Sequence, residues 1–177
     1  MGIEKISVVS DAGPLIHLAE IDCLPLLGIF ENLSIPETVW YETVEQGRIS
    51  AMEMIKLNKI QKYPLSQADV SQFIQQNNLN KLHAGERDCL YLCQQLNISI
   101  LLTDDLAARN AAKALNLRPL GSLGVVAKAY QMGPISLAEA EHHMLNLYEM
   151  SSLFVTRAIV ELAIEQLHNY AKSASYH

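Results

Sequence analysis

Short apolar runs alternate along this chain with segments whose apolar residues recur every third or fourth position, the patterning of strands and helices in turn. "KISVVS" reads as a strand. Gly13-Pro14 then sits at the opening of an apolar helix, where proline is tolerated in the first turn. "DCLPLLGIF" predicts a second short helix, "LSIP" a short strand, and "PETVWYETVEQ" a helix stopped at Gly47. Residues 50–57 read as helix and "IQKYPL" as another strand. Ser66 caps a helix that "NNLNK" interrupts, and "AGERDCLYLCQQL" is a helix ending near Asn97. "ISILLT" is β-branched and leucine-rich without alternation, as suits a strand buried on both faces. "DLAARNAAKAL" predicts a helix, "LRPLG" a short strand, and "SLGVVAKAYQM" a helix ended by Gly133-Pro134. Ser136-Leu137-Ala138-Glu139 is a capping box, and it opens the first of two closing helices, roughly 137–149 and 153–171.

Strands alternating with helices on short connections predict an α/β domain around a central parallel sheet. With 177 residues, half of them hydrophobic and 18% charged, the chain can bury one substantial core and is not a disordered sequence. No internal repeat or linker divides it. The apolar runs are too short to span a membrane, and no basic-then-apolar segment opens the sequence, which predicts a cytoplasmic protein. Three cysteines fit reduced thiols better than a disulfide framework; Cys89 and Cys93 share an apolar helix face with Leu90 and Leu96 and read as small buried hydrophobes. The six histidines show no zinc-ligand spacing. A net charge of −6 argues against gripping nucleic acid by bulk positive potential, yet leaves room for a nuclease whose acids gather at a metal site.

The carboxylates give that idea content. Strand C-termini of a parallel sheet open onto one edge, where ligands bind. Asp11 follows the first strand directly, and Asp104-Asp105 follow "ISILLT". If both strands are central, these acids meet. A helix cap explains one aspartate after a strand but not the second of a doublet. Glu86 is in line with Cys89, Leu90 and Cys93, on the sheet-facing stripe of the first turn, while Arg87 and Asp88 point away as solvated charges. On "PETVWYETVEQ" the period does not choose among Glu37, Glu42 and Glu45. Converging carboxylates raise one another's pKa and call for a hard divalent cation such as Mg²⁺ or Mn²⁺. There is no phosphate-cradling G-x-x-x-x-G-K-[ST] loop and no other cofactor-binding motif.

The blocks "VVSDAGPLIHLAEI", "IPETVWYE", "LHAGERDCLYL", "LLTDDLAARNAAKALNL" and "LGSLGVVAKA", in that order over residues 8–129, resemble the PIN-domain nucleases, in particular the VapC-like branch of short prokaryotic PIN proteins. The resemblance implies a three-layer α/β/α fold, a PIN-like catalytic domain over residues 1–135 and a C-terminal helical extension over 136–177 packed on the same domain. It implies a cytoplasmic Mg²⁺- or Mn²⁺-dependent endoribonuclease in which activated water hydrolyses RNA phosphodiesters, with catalytic acids Asp11, Glu42, Glu86 and Asp105. The P-x-x-V-x-x-E pattern (Pro36, Val39, Glu42) is what selects Glu42. Asp11, Glu86, Asp104 and Asp105 are the implied metal set; the T-x-D pattern favours Asp105 as ligand, with Asp104 as helper or cap. Thr103, Arg109 and Ser122 are supporting residues, Arg109 pairing with an acid or a phosphate. Ala12-Gly13 departs from the hydroxyl residues frequent after the first aspartate of the family. Many relatives are toxins of toxin–antitoxin pairs and commonly homodimers, so the implied partners are RNA, an antitoxin and a second copy.

Lys113, Arg118 and Lys128 are the candidates for RNA backbone contacts. The alternative function is a catalytically weak PIN-like module that binds RNA or protein. A phosphoacceptor receiver domain fits poorly, because its acidic pair belongs after the first strand and here the pair comes late.

Overall fold

The computed structural model describes residues 6–57 and 59–175. Lys5, where the predicted first strand begins, lies outside them. Five parallel strands make one sheet in the order β3-β2-β1-β4-β5: β1 (Ser7–Ser10), β2 (Asn32–Pro36), β3 (Ile60–Tyr63), β4 (Ile100–Leu102) and β5 (Arg118–Leu120). β1 is flanked by β2 and β4, with Val9 opposite Leu101 and Ser10 opposite Leu102. Hydrogen bonding runs past the strand ends, Asp11 N–H donating to Leu102 O and Thr103 N–H to Leu120 O, each at 2.9 Å. The predicted parallel α/β architecture is therefore present, with the two aspartate-bearing strands adjacent.

Helices follow each strand: α1 (Ala12–Glu20), α2 (Glu37–Trp40), α3 (Ala51–Lys56), α4 (Gln67–Asn77), α5 (Ala84–Leu96), α6 (Leu106–Ala114), α7 (Ser122–Met132), α8 (Leu137–Glu149) and α9 (Arg157–Ala174). The segment after α1 is a 3₁₀ turn over Leu24–Ile29, with proline in its first turn. α9 begins four residues later than the period suggests, because Thr156 caps it while Leu153 and Val155 pack against the core from irregular backbone. Asn78, Asn97 and Asn116 adopt positive φ (56°, 53° and 60°) and end α4, α5 and α6, a conformation asparagine tolerates better than other side chains.

Val8, Val9, Leu101 and Leu102 are wholly buried, which explains the unbroken apolar character of β1 and β4. Cys89, Leu90 and Cys93 of α5 join the same core, as do Ala140, Met144, Leu147, Val160 and Leu167 of α8 and α9. Both α5 cysteines are free and buried, as expected of small hydrophobes. Asp88 departs from expectation. It is only 6% exposed, and its Oδ2 accepts a 2.6 Å hydrogen bond from the Thr38 hydroxyl, so it ties α5 to α2 rather than facing solvent. Arg87 is half-buried with its Nε unpartnered. No helix among the described residues is long and apolar enough to cross a membrane.

Leu101 sits at the centre of the sheet with no exposed surface. Leu101→Ala should cost about 2–5 kcal/mol of stability, read as a lower urea midpoint with unchanged slope; a loss below about 1 kcal/mol would contradict this placement.

Candidate active site

Asp11, the first residue beyond β1, caps α1: Ala12 N–H donates to Oδ1 at 2.8 Å, and the Thr103 hydroxyl donates to Oδ2 at 3.3 Å. Glu86 lies in the first turn of α5 and is 8% exposed. Its Oε2 accepts from His83 N–H at 2.9 Å, the return arm of a capping arrangement that fixes the carboxylate beside the helix start. Asp105 caps α6, accepting from Ala108 N–H at 2.8 Å.

Glu42 arrives by a local distortion. Past Trp40, helix α2 widens into a π turn over Tyr41–Glu45, with Gln46 N–H reaching back to Tyr41 O. The Thr43 hydroxyl donates to Val39 O at 2.7 Å, the kind of side-chain competition that bends helices. The widened turn lays the Glu42 carboxylate against the start of α5: a Cβ on Gly85 would stand 2.9 Å from both of its oxygens. A larger residue at 85 would have to displace the Glu42 carboxylate. Glu37 and Glu45 face solvent, so the packing resolves what periodicity left open.

Asp11, Glu42 and Glu86 line one open cleft of about 480 Å³, together with Gly13, His83 and Gly85. The acids feel one another there. Burial, reinforced by Glu86 and Glu42, pushes Asp11 up to about 6 against the opposing hydrogen bonds from Ala12 and Thr103. Glu42 is raised by burial and then by Glu86 and Asp88; Glu86 is raised by burial and then by Asp105. The N-termini of α1, α5 and α6 converge on this cluster, and their dipoles offset part of the repulsion.

Asp104 is engaged elsewhere. Its Oδ1 accepts from Ser122 N–H at 2.7 Å, and its Oδ2 accepts from the Ser122 hydroxyl at 2.5 Å and lies 2.7 Å from His17 Nδ1. This clamp joins the β4–α6 turn to the later part of α1 and to the start of α7. A Cβ on Gly121 would come within 2.7 Å of Asp104 Oδ1, so a larger residue there would push the Asp104 carboxylate aside. Of the doublet it is Asp105, not Asp104, that caps the helix. Arg109 donates to the Thr103 carbonyl at 3.2 Å and so braces the same turn. His17 was invisible to sequence reasoning; its position, one turn and a half into the helix that Asp11 starts, is the signal that could have found it. Lys113 and Arg118 fall at the wrong end: α6 runs away from Asp105 and β5 begins at Arg118, so both stand at the edge opposite the cleft.

Among the described residues, no three His, Cys, Asp or Glu side chains are placed to hold one metal ion together. The donors nevertheless fit a hard divalent cation in kind. They are all carboxylate oxygens, they line an open cleft, and their mutual repulsion is what such a cation neutralises.

Asp11 yields a pH test. Its carboxyl rises from an ordinary 3.8 to about 6 on folding, so between those values the unfolded chain releases a proton that the folded chain keeps. Stability therefore falls as pH rises through that window. Asparagine still caps a helix but cannot ionise. In chelator, Asp11→Asn should be more stable than wild type near pH 7.5 by up to about 3 kcal/mol, the gap closing below about pH 4. Thermal unfolding at the two pH values checks this, and a gap independent of pH would contradict it.

Comparison with known proteins follows the same line. A family model described as a PIN domain matches residues 7–169, which is most of the chain and includes every acid above. No curated protein matches it. PIN domains are generally nucleases, and the parallel sheet with acids at its C-terminal edge has that build. The chain belongs to the PIN-domain family.

Proposed function

We propose that this protein is a metal-dependent endoribonuclease. The observation that carries the reading is the electrostatic coupling of Asp11, Glu42 and Glu86 around one open cleft, with Asp105 acting on Glu86 from the adjoining helix start. Such crowding is costly in a metal-free protein and is relieved where positive charge is bound.

Asp11, Glu42, Glu86 and Asp105 would hold Mg²⁺ or Mn²⁺, and Asp104 would keep the β4–α6 turn in place through Ser122 and His17. When bound, such an ion supplies Lewis acidity that lowers the pKa of water and stabilises charge on an attacked phosphodiester. The chain's own contribution is positioning. The caps on α1 and α6 fix Asp11 and Asp105, and the His83 N–H fixes Glu86. Ala12 and Gly13 at the start of α1 and Ala84 and Gly85 at the start of α5 line the cleft, and helix N-termini favour a phosphate oxygen. The raised carboxyls, Asp11 foremost, would be drawn into their ionised form on binding of the cation. Hydrolysis would leave a 3′-hydroxyl and a 5′-phosphate.

In the cell the protein would act in the cytoplasm as the toxin of a toxin–antitoxin pair, silenced by an antitoxin over the cleft and working as a homodimer. The alternative is a PIN-like module that binds RNA or protein without cleaving. The spread placement of the carboxylates favours that reading, and calorimetry separates the two, since such a module takes up no Mn²⁺ in the cleft.

With Mn²⁺ present, wild type should cleave structured RNA and chelation should abolish cleavage. Asp11→Asn and Glu86→Gln should each lose more than about a hundredfold, because even the outer partners of metal ligands cost ten- to a hundredfold. Cleavage that survives both the substitutions and the chelator would rule out the proposed chemistry.

A further inference from the structure

With Lys113 and Arg118 at the far edge, the surface beside Glu42 is where a strand of RNA leaving the cleft would run. Trp40, Tyr41 and Glu42 are successive positions where α2 passes into the π turn, so their side chains point in different directions. Glu42 turns to Gly85 and the acid cluster. Trp40, half-buried, turns to β3, where Lys62 holds its ammonium 5.1 Å from the centre of the indole ring. Tyr41 stands between them, 54% exposed. Register pairs Ile35 with Lys62 and Pro36 with Tyr63, so Lys62 lies at the C-terminal edge of the sheet, the edge that carries the acids.

An isolated exposed tyrosine needs no explanation. Here the exposed residue follows in sequence the tryptophan that Lys62 overlies and precedes the carboxylate that lines the cleft. That is the pairing single-stranded nucleic acid requires: an aromatic face to stack an unpaired base and a positive charge for the next phosphate. The cation matters more in a chain of net charge −6, whose bulk field repels polynucleotides.

We propose that Tyr41, with Lys62 held over Trp40, forms a subsite that stacks an unpaired nucleotide flanking the cleaved bond, so that the substrate is single-stranded RNA at this position. This rests on the nuclease reading for its location, while its own evidence is binding. Trp40 is the sole tryptophan, which makes its emission a built-in reporter of the subsite.

The test titrates a short single-stranded oligoadenylate into full-length wild type in low salt with chelator, following Trp40 emission and the anisotropy of a labelled oligomer. Tyr41→Ala should weaken binding about tenfold and Tyr41→Phe should restore it, because the phenyl face stacks without the hydroxyl. Lys62→Gln should weaken binding and lower the slope of log affinity against log salt by about one. Circular dichroism checks that each variant is folded. Tyr41→Ala binding like wild type, no binding by wild type, or equal competition by duplex RNA would each overturn the subsite. Cleavage of the same oligomer with Mn²⁺ is scored apart. Cleavage with no dependence of binding on Tyr41 sinks the subsite and spares the nuclease, whereas Tyr41-dependent binding without cleavage supports the subsite and sinks the nuclease.

Discussion

The parallel pairing of β1 with β4 brings Asp11, Thr103 and Asp105 to the same edge of the sheet. Val9 and Ser10 lie beside Leu101 and Leu102, and the bond from Asp11 N–H to Leu102 O carries the ladder one residue past the strands. Residues distant in sequence thereby end at one level. Asp11 begins α1 there, Thr103 reaches across to it, and Asp105 begins α6 beside them. Val8, Val9, Leu101 and Leu102 have no exposed surface, so a register slip would disrupt the close packing around them, and the apolar core supports the alignment that brings the acids together.

Acids held this way cost stability. Burial and mutual repulsion raise Asp11, Glu42 and Glu86 together, and the fold offsets part of the cost with backbone N–H groups and three helix N-termini. The remainder is latent affinity for positive charge. Asp104 is kept out of this repulsion by Ser122 and His17, and what it does instead is hold the turn that presents Asp105. Farther along α1, Glu20 accepts hydrogen bonds from Ser152 in the α8–α9 connection and from Arg48, so the helix that starts at the cleft is also tied to the C-terminal helices. The Ser152 hydrogen bonds hold the Glu20 carboxyl below its usual range despite partial burial.

Much of this was readable from the residues alone. Strand and helix order follows from period, helix starts follow from caps, and the end of α5 follows from Asn97. Asp11 and Glu86 follow from strand ends and from a helical stripe. The failures have one cause. Periodicity reports which face of an element a residue occupies, not what that face meets. Asp88 reads as solvated because it is charged and off the main stripe, yet α2 covers it and Thr38 satisfies it. Lys113 and Arg118 read as near the site because they follow it in sequence, yet a helix and a strand carry them to the opposite edge.

By itself the sequence determined the alternation, the doubly buried central strands and the presence of acids at strand ends, because hydrophobic period and capping chemistry are local properties of the chain. Tertiary structure decided the rest. It chose Glu42 over Glu37 and Glu45 through a π turn and a glycine that admits close approach. It divided the aspartate doublet into a helix cap and a clamp. It brought Lys62 of β3 over the Trp40 ring. These depend on which elements become neighbours, and that is fixed by how all the buried surfaces pack at once, which no single segment encodes.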